Sequence, residues 1–136
     1  MLSPEASCAL RSVTELHQWI AAVFNGAEDA DASLEKLAVS FHPDFLMVTT
    51  AGATVGLSEV LALFHRRRGA RPGLQITIDC GDILQQSASH VVCRYRETHC
   101  DPTGESSRWS LAMIDVAGGQ PRWRYLQETA IASVHG

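Results

Sequence analysis

This chain has no run of about 18 consecutive apolar residues, the length a helix needs to cross a bilayer, so no membrane span is expected. It also lacks a surplus of positive charge: 11 lysines and arginines stand against 15 aspartates and glutamates, for a net charge of -4. Neutralising phosphates takes cations in excess, which argues against general nucleic-acid binding. Cysteine is sparse. Cys8, Cys80, Cys93 and Cys100 contain no C-x-x-C pair and no zinc-finger spacing. They read as free thiols, with Cys80 and Cys93 as small buried hydrophobes in alternating apolar stretches and Cys100 beside a turn. His99, Cys100 and Asp101 make no metal corner, because strand neighbours point to opposite faces and no second His/Cys cluster completes a ligand set. No metal and no cofactor is therefore expected. Internal repeats, low-complexity tracts and linkers are absent too. A composition 46% hydrophobic and 19% charged lies far from the signature of disorder, so one domain spanning residues 1–136 is expected. The opening MLSPEASCALRSVTELHQWI carries no basic n-region, unbroken apolar core or cleavage site of a signal peptide, which makes the cytoplasm the expected location.

What the chain does have is a change of periodicity part-way along. Leu10, Val13, Leu16, Ile20, Val23 and Phe24 recur at three- and four-residue steps, predicting an amphipathic helix from about residue 5 to 25 that ends at Asn25-Gly26. Asp31 or Ser33 can cap a second helix carrying Leu34, Leu37, Ala38 and Phe41, with His42 at its end and Pro43 stopping it. DFLMVTTAG reads as a strand and turn. A third helix follows in TVGLSEVLALFHRRRG, begun near Gly56 or Ser58, with Leu57, Val60, Leu61 and Phe64 on one face. Arg66, Arg67 and Arg68 in its last turn complement the helix dipole ahead of Gly69, and need no nucleic acid to explain them.

Beyond Pro72 the period becomes two. LQITIDCGDIL sets Leu74, Ile76, Ile78 and Cys80 on one side, and Gly81 suggests a bulge. SASHVVCRYRETH, RWSLAMIDV and RWRYLQETAIASV follow, joined by the turns CDPTGESS and AGGQP. Strands joined mostly by short turns predict an antiparallel meander with the helices on one face, an α+β architecture. In VVCRYRETHCD the alternation places Val91, Cys93, Tyr95, Glu97 and His99 on one face, with Arg94 and Arg96 on the other. A face mixing apolar bodies with a carboxylate suits a pocket wall better than a plain core. In the last strand Leu126, Glu128 and Ala130 share a face opposite Tyr125, Gln127 and Thr129.

FHPDFLMVTTAGATVGLSEVLALF, YRETH in a middle strand and WRYLQETAI in the last one, taken in this order and spacing, resemble the nuclear transport factor 2-like superfamily, and in particular its small bacterial stand-alone members grouped with the SnoaL-like proteins. The resemblance runs from about residue 10 to 132. It implies a cone-shaped, cystatin-like fold in which N-terminal helices pack on a curved antiparallel sheet around a cavity, with Trp19, Phe41, Phe45, Met47 and His99 as pocket lining. It further implies a homodimer through the outer sheet face, to which Ile76, Ile78, Trp109, Leu111, Met113 and Trp123 on one or other side of the sheet could contribute. The implied function is binding of a small apolar or mixed-polarity ligand, with no nucleic acid or membrane as partner.

Tyr95, Glu97 and Glu128 are the candidate catalytic residues. A glutamate in an apolar pocket has its charged form disfavoured and becomes a usable acid or base, and a tyrosine two residues away can donate to a developing oxyanion. Tyr95 and Glu97 match in residue type the acid-base plus phenol arrangement of isomerases with this fold, which with dehydratases and cyclases define the implied chemistry. The sets of ketosteroid isomerases, scytalone dehydratase and limonene epoxide hydrolase do not transfer residue by residue. Against catalysis stands simple pairing of Glu97 and Glu128 with Arg94, Arg96, Arg108 or Arg124. His99 is either a base at the pocket mouth or a solvated strand end; His17 either faces the cavity or is half-buried and hydrogen-bonded. Two functions remain: a small-molecule pocket protein with acid-base chemistry, and a non-catalytic dimeric binding or assembly module.

Overall fold

The computed structural model describes residues 2–132. Helix α1 (Pro4–Asn25) starts where the Ser3 hydroxyl accepts from the Ala6 N–H at 3.0 Å and Pro4 takes the first turn, where its missing N–H costs nothing. It ends at Gly26, whose φ of 72° is the left-handed cap that glycine adopts without a Cβ penalty. Its buried face, Ala6, Ala9, Val13, Leu16 and Val23, lies across the sheet, each larger side chain contributing about 1.5–3 kcal/mol of burial.

Helix α2 (Ala30–Ala38) stops earlier than its apolar pattern suggests. The Ser40 hydroxyl donates to the Lys36 carbonyl at 2.6 Å, and Phe41 already opens strand β1 (Phe41–Val48), so Phe41, His42 and Pro43 belong to a strand and not to a helix end. Proline is tolerated there because the pairing of β1 is irregular between Phe41 and Leu46. Strand β2 (Thr54–Gly56) leads into α3 (Leu57–Arg66), where the Glu59 carboxylate accepts from the Gly56 N–H at 3.2 Å.

Strands β3 (Gln75–Gln86), β4 (His90–Asp101), β5 (Gly104–Asp115) and β6 (Arg122–Ala130) form the expected antiparallel meander. The sheet order is β2-β1-β6-β5-β4-β3, and β1 adds to β6 in parallel, so the whole sheet is mixed. The bulge expected at Gly81 is present as a register shift between Asp79 and Asp82. Cys80 itself takes a φ of 55° there and is exposed, which overturns its reading as a buried hydrophobe: the bulge breaks the alternation that would have turned it inward. Cys93 is buried as read, and burial pushes its thiol up to about 11.

The three helices lie on the inner face of the sheet, with one continuous core that includes Leu16, Phe41, Phe45, Phe64, Val91, Tyr95, Ile114 and Trp123. The C-terminal end of α1 is tied to the segment after α3. Gly69 donates to the Val23 carbonyl and Arg71 to the Phe24 carbonyl, each at 2.9 Å. A Cβ on Gly26 would sit 3.2 Å from the Gly69 Cα, so a close glycine-glycine approach sets where Arg71 begins. No helix among the described residues is long and apolar enough to cross a membrane.

Candidate functional site

Strand alternation brings Tyr95, Glu97 and His99 to the inner face of β4, all buried, while Arg94 and Arg96 face outward. Cross-strand register then sets their neighbours. Tyr95 lies opposite Ser110, Ser110 opposite Glu128, and Glu97 opposite Arg108. From above, α1 lowers His17 onto this row, its ring packed edge-on to Tyr95 at 5.4 Å and to Trp123 at 6.1 Å. The Trp123 indole donates to the Ser12 hydroxyl at 2.9 Å, fixing the helix above the last strand.

The protons in this cluster follow from its partners. His17 Nδ1 lies 2.7 Å from the Val13 carbonyl, which only accepts, so this nitrogen carries a proton. His17 Nε2 lies 3.0 Å from Glu97 Oε1, a buried ion pair. Burial opposes the imidazolium, but Glu97 and the Val13 carbonyl outweigh it and raise His17 above its usual 6.5. Glu97 is pushed up by burial and pulled further down by His17 and His99, ending well below the usual carboxylate range. His99 has a different role. Its Nδ1 lies 3.2 Å from Arg71 Nη1, which only donates, so Nδ1 accepts and the proton sits on Nε2, bonded to Glu97 Oε2. Arg71 in turn reaches Asp101 through Nε at 3.0 Å and Nη2 at 2.9 Å. Thr103 and Arg71 hold that carboxyl down at about 2.

A second branch runs toward solvent. Glu128 Oε1 is 3.4 Å from Arg108 Nη1, a loose contact. Burial, then the nearby Glu97 charge, raise Glu128 above its ordinary value against the pull of Arg108 and His17. Burial and the charges of Glu97 and Glu128 drive the Tyr95 phenol well above 10, so it remains a hydrogen-bond donor. On the inner face, Tyr95 Oη, Ser110 Oγ and Arg108 Nε are buried without an aligned hydrogen bond among the described residues. Each such group costs about 1–3 kcal/mol, so three on adjoining positions of one sheet face mark a place where stability has been given up.

No protein-family sequence model matches the chain, and no curated protein does. Solved structures do. An NTF-2 like protein of unknown function from Pseudomonas aeruginosa is 32% identical over 92% of this chain and 99% of its own, with a TM-score of 0.88. The chain belongs to the NTF2-like family. An NTF2-like protein from Cytophaga hutchinsonii (17% identical, 92% of this chain and 93% of that one, TM-score 0.67) and a Nostoc punctiforme protein with a cystatin-like fold (13%, 92% of each chain, TM-score 0.68) share the fold.

In this NTF2-like chain the catalytic candidates Tyr95, Glu97 and Glu128 all stand on one inner face, with His99 beside Glu97. The lining candidates divide. Phe41 and Phe45 pack edge to face at 4.7 Å within the solid core, and Met47 lies at the edge of that core. Trp19 packs against the outside of the core, beneath Lys36 at 5.7 Å, and lines an external hollow of about 320 Å³ between α1, α2 and the turn after β5. A second hollow of about 360 Å³ lies beside His90, Val92 and Met113; neither reaches the buried cluster. Of the expected ion pairs only Glu128 with Arg108 forms. Arg94 and Arg96 pair with Asp82 and Asp79 of β3, and Arg124 with Asp115. Glu97 is held by histidines, which strand-to-strand reasoning could not find because His17 comes from a helix. His99 is buried and not a solvated strand end, because Arg71 covers it. Arg71, Ser110 and Ser12 carried no signal in the sequence beyond their facing positions.

Proposed function

We propose that this NTF2-like chain binds a small ligand of mixed polarity at the inner-face cluster, entering between Arg71, Arg108 and Glu128. The observation that carries this reading is the convergence of Tyr95 Oη, Ser110 Oγ and Arg108 Nε beside the Glu97–His17 pair, buried groups whose hydrogen-bonding capacity the fold leaves unused. Arg71 and Arg108 keep 32% and 22% of their side chains exposed, so this end is the one that opens by side-chain movement. The same geometry is suited to the acid-base chemistry of an isomerase, dehydratase or cyclase. With Glu97 orienting His99 through Nε2, the Nδ1 lone pair is aimed at Arg71 and becomes a base when that side chain swings away. Tyr95 is the neutral donor available to an oxyanion. A fragment screen read by nuclear magnetic resonance tests the binding reading: hits are expected to shift the Trp123 indole and the His17 and His99 ring signals. Hits confined to the outer sheet face would overturn it.

A second reading, a non-catalytic dimeric binding or assembly module, is favoured by the outer face. There Leu46 and Met113 are 47% and 43% exposed, beside Trp109, Leu111 and Tyr125, on a side of the sheet with no helix over it. Trp123, Ile76 and Ile78 lie on the inner face and add nothing to this surface. The two readings are compatible, because they use opposite faces of one sheet.

A further inference from the structure

The proposed ligand site has a polarity of its own, and its donors outnumber its acceptors. The three groups of this site buried without an aligned partner can all donate: the Tyr95 phenol, the Ser110 hydroxyl and the Arg108 Nε–H. Tyr95 and Ser110 are opposite one another on neighbouring strands, and Arg108 is two residues from Ser110 on the same face of β5. Hydroxyls also accept, but Arg108 only donates, and the phenol stays protonated. Of the carboxylates flanking this guanidinium, Glu97 is held by His17 and His99, and Glu128 touches it only through Nη1 at 3.4 Å and leaves Nε free. A planar guanidinium with one poor contact can take a better carboxylate in two-point fashion.

Resting on the reading of this face as the ligand site, we propose that the ligand is a small carboxylic acid whose carboxylate seats on Arg108, Ser110 and Tyr95 and displaces Glu128. The charge count supports it. Glu97 is matched by His17, and Asp101 by Arg71, while His99 is neutral by its contacts; only Arg108 and Glu128 remain to respond. Glu128 faces Arg108 from β5, Glu97 from β4 and His17 from α1, and it sits in a buried place that already favours its protonated form. Losing Arg108 to an incoming anion removes its largest stabilising neighbour, so Glu128 takes up a proton as the acid binds. The ligand's own covalent bonds are unchanged; a solvent hydronium or buffer acid gives its proton to a Glu128 carboxylate oxygen and is left as water or the conjugate base.

The experiment is calorimetric titration of the full chain with benzoate and cinnamate against benzamide and cinnamamide, in buffers of different ionisation enthalpy, with the Trp123 indole resonance followed in parallel. The expected result is that the acids shift the indole signal, bind about tenfold or more tighter than the amides, and take up a fraction of a proton at pH 7. Glu128→Gln, which removes the carboxylate competing for Arg108, abolishes the uptake, and Ser110→Ala weakens the acids selectively even if Arg108→Gln fails to fold. Amides binding at the indole as well as the acids would overturn the carboxylate inference and leave the ligand site standing. If none of the probes moves the indole or the His99 ring at millimolar concentration, both fall.

Discussion

At the scale of single residues, His17 and Glu97 decide how stability depends on pH. A folded-state pKa raised above 6.5 means that His17 contributes stability fully below that value and loses it as pH rises through the higher folded value. A depressed Glu97 contributes above 4.5 and loses it only as pH falls through its lowered value. The pair is therefore fully stabilising in the window between 4.5 and 6.5. The stability gap between wild type and His17→Gln, measured by urea denaturation, is expected to be widest there and to narrow as the pH rises beyond it. Glu97→Ala is expected to cost about 3–5 kcal/mol, because it strands a buried imidazolium. Tyr95→Phe should act in the other direction, raising stability by about 1 kcal/mol, since it removes a buried hydroxyl without an aligned partner. A destabilised Tyr95→Phe would mean that the hydroxyl is satisfied in the folded protein. Alternation alone placed Tyr95, Glu97 and His99 together; the Glu97–His17 pair was not legible, since a helix and a strand share no register.

At the scale of elements, the site depends on where α1 sits against the loop after α3. Gly26 holds a φ of 72° and a side chain there would press on Gly69. Gly26→Ala is expected to cost about 1–2 kcal/mol from the left-handed backbone alone, read as a lower urea midpoint. Because Arg71 hangs from the same backbone contact, the His99 ring resonances should move as well. The limits of α1, α3 and the meander follow from local rules of capping and alternation. The early end of α2 did not, because Phe41 fits a helical apolar step as well as it fits a strand, and only its pairing beside β6 separates the two. Cys80 was misplaced for a related reason: a bulge can be suspected from Gly81, but which residue turns outward depends on the partner strand.

For the whole molecule, the two faces of the sheet carry separate predictions. The inner face is covered by helices. On the outer face Arg94 lies over the Trp109 ring at 5.1 Å and the exposed pairs of Arg94 with Asp82 and Arg96 with Asp79 flank an apolar strip. Such exposed pairs contribute little stability by themselves, so in the proposed dimer the strip's apolar area is the larger driving force. Sedimentation at micromolar concentration is expected to give about twice the chain mass of 14.8 kDa, and Met113→Asp is expected to return the monomer. A wild-type protein that sediments as 14.8 kDa at that concentration would remove the dimer.

The sequence by itself determined the helix-first, strand-later order, the inward face of β4 and the inward Glu128, because periods of 3.6 and two are local consequences of backbone geometry. It also carried the family resemblance, in short stretches distributed over nearly the whole chain. Tertiary structure decided what each carboxylate meets. Alternation already turns the arginines of β4 away from Glu97; the sheet pairs them with Asp82 and Asp79, and the helix crossing supplies histidine to Glu97. Charge pairing acts over a few ångströms in three dimensions, and residues 17 and 97 become neighbours only once α1 has packed on the sheet.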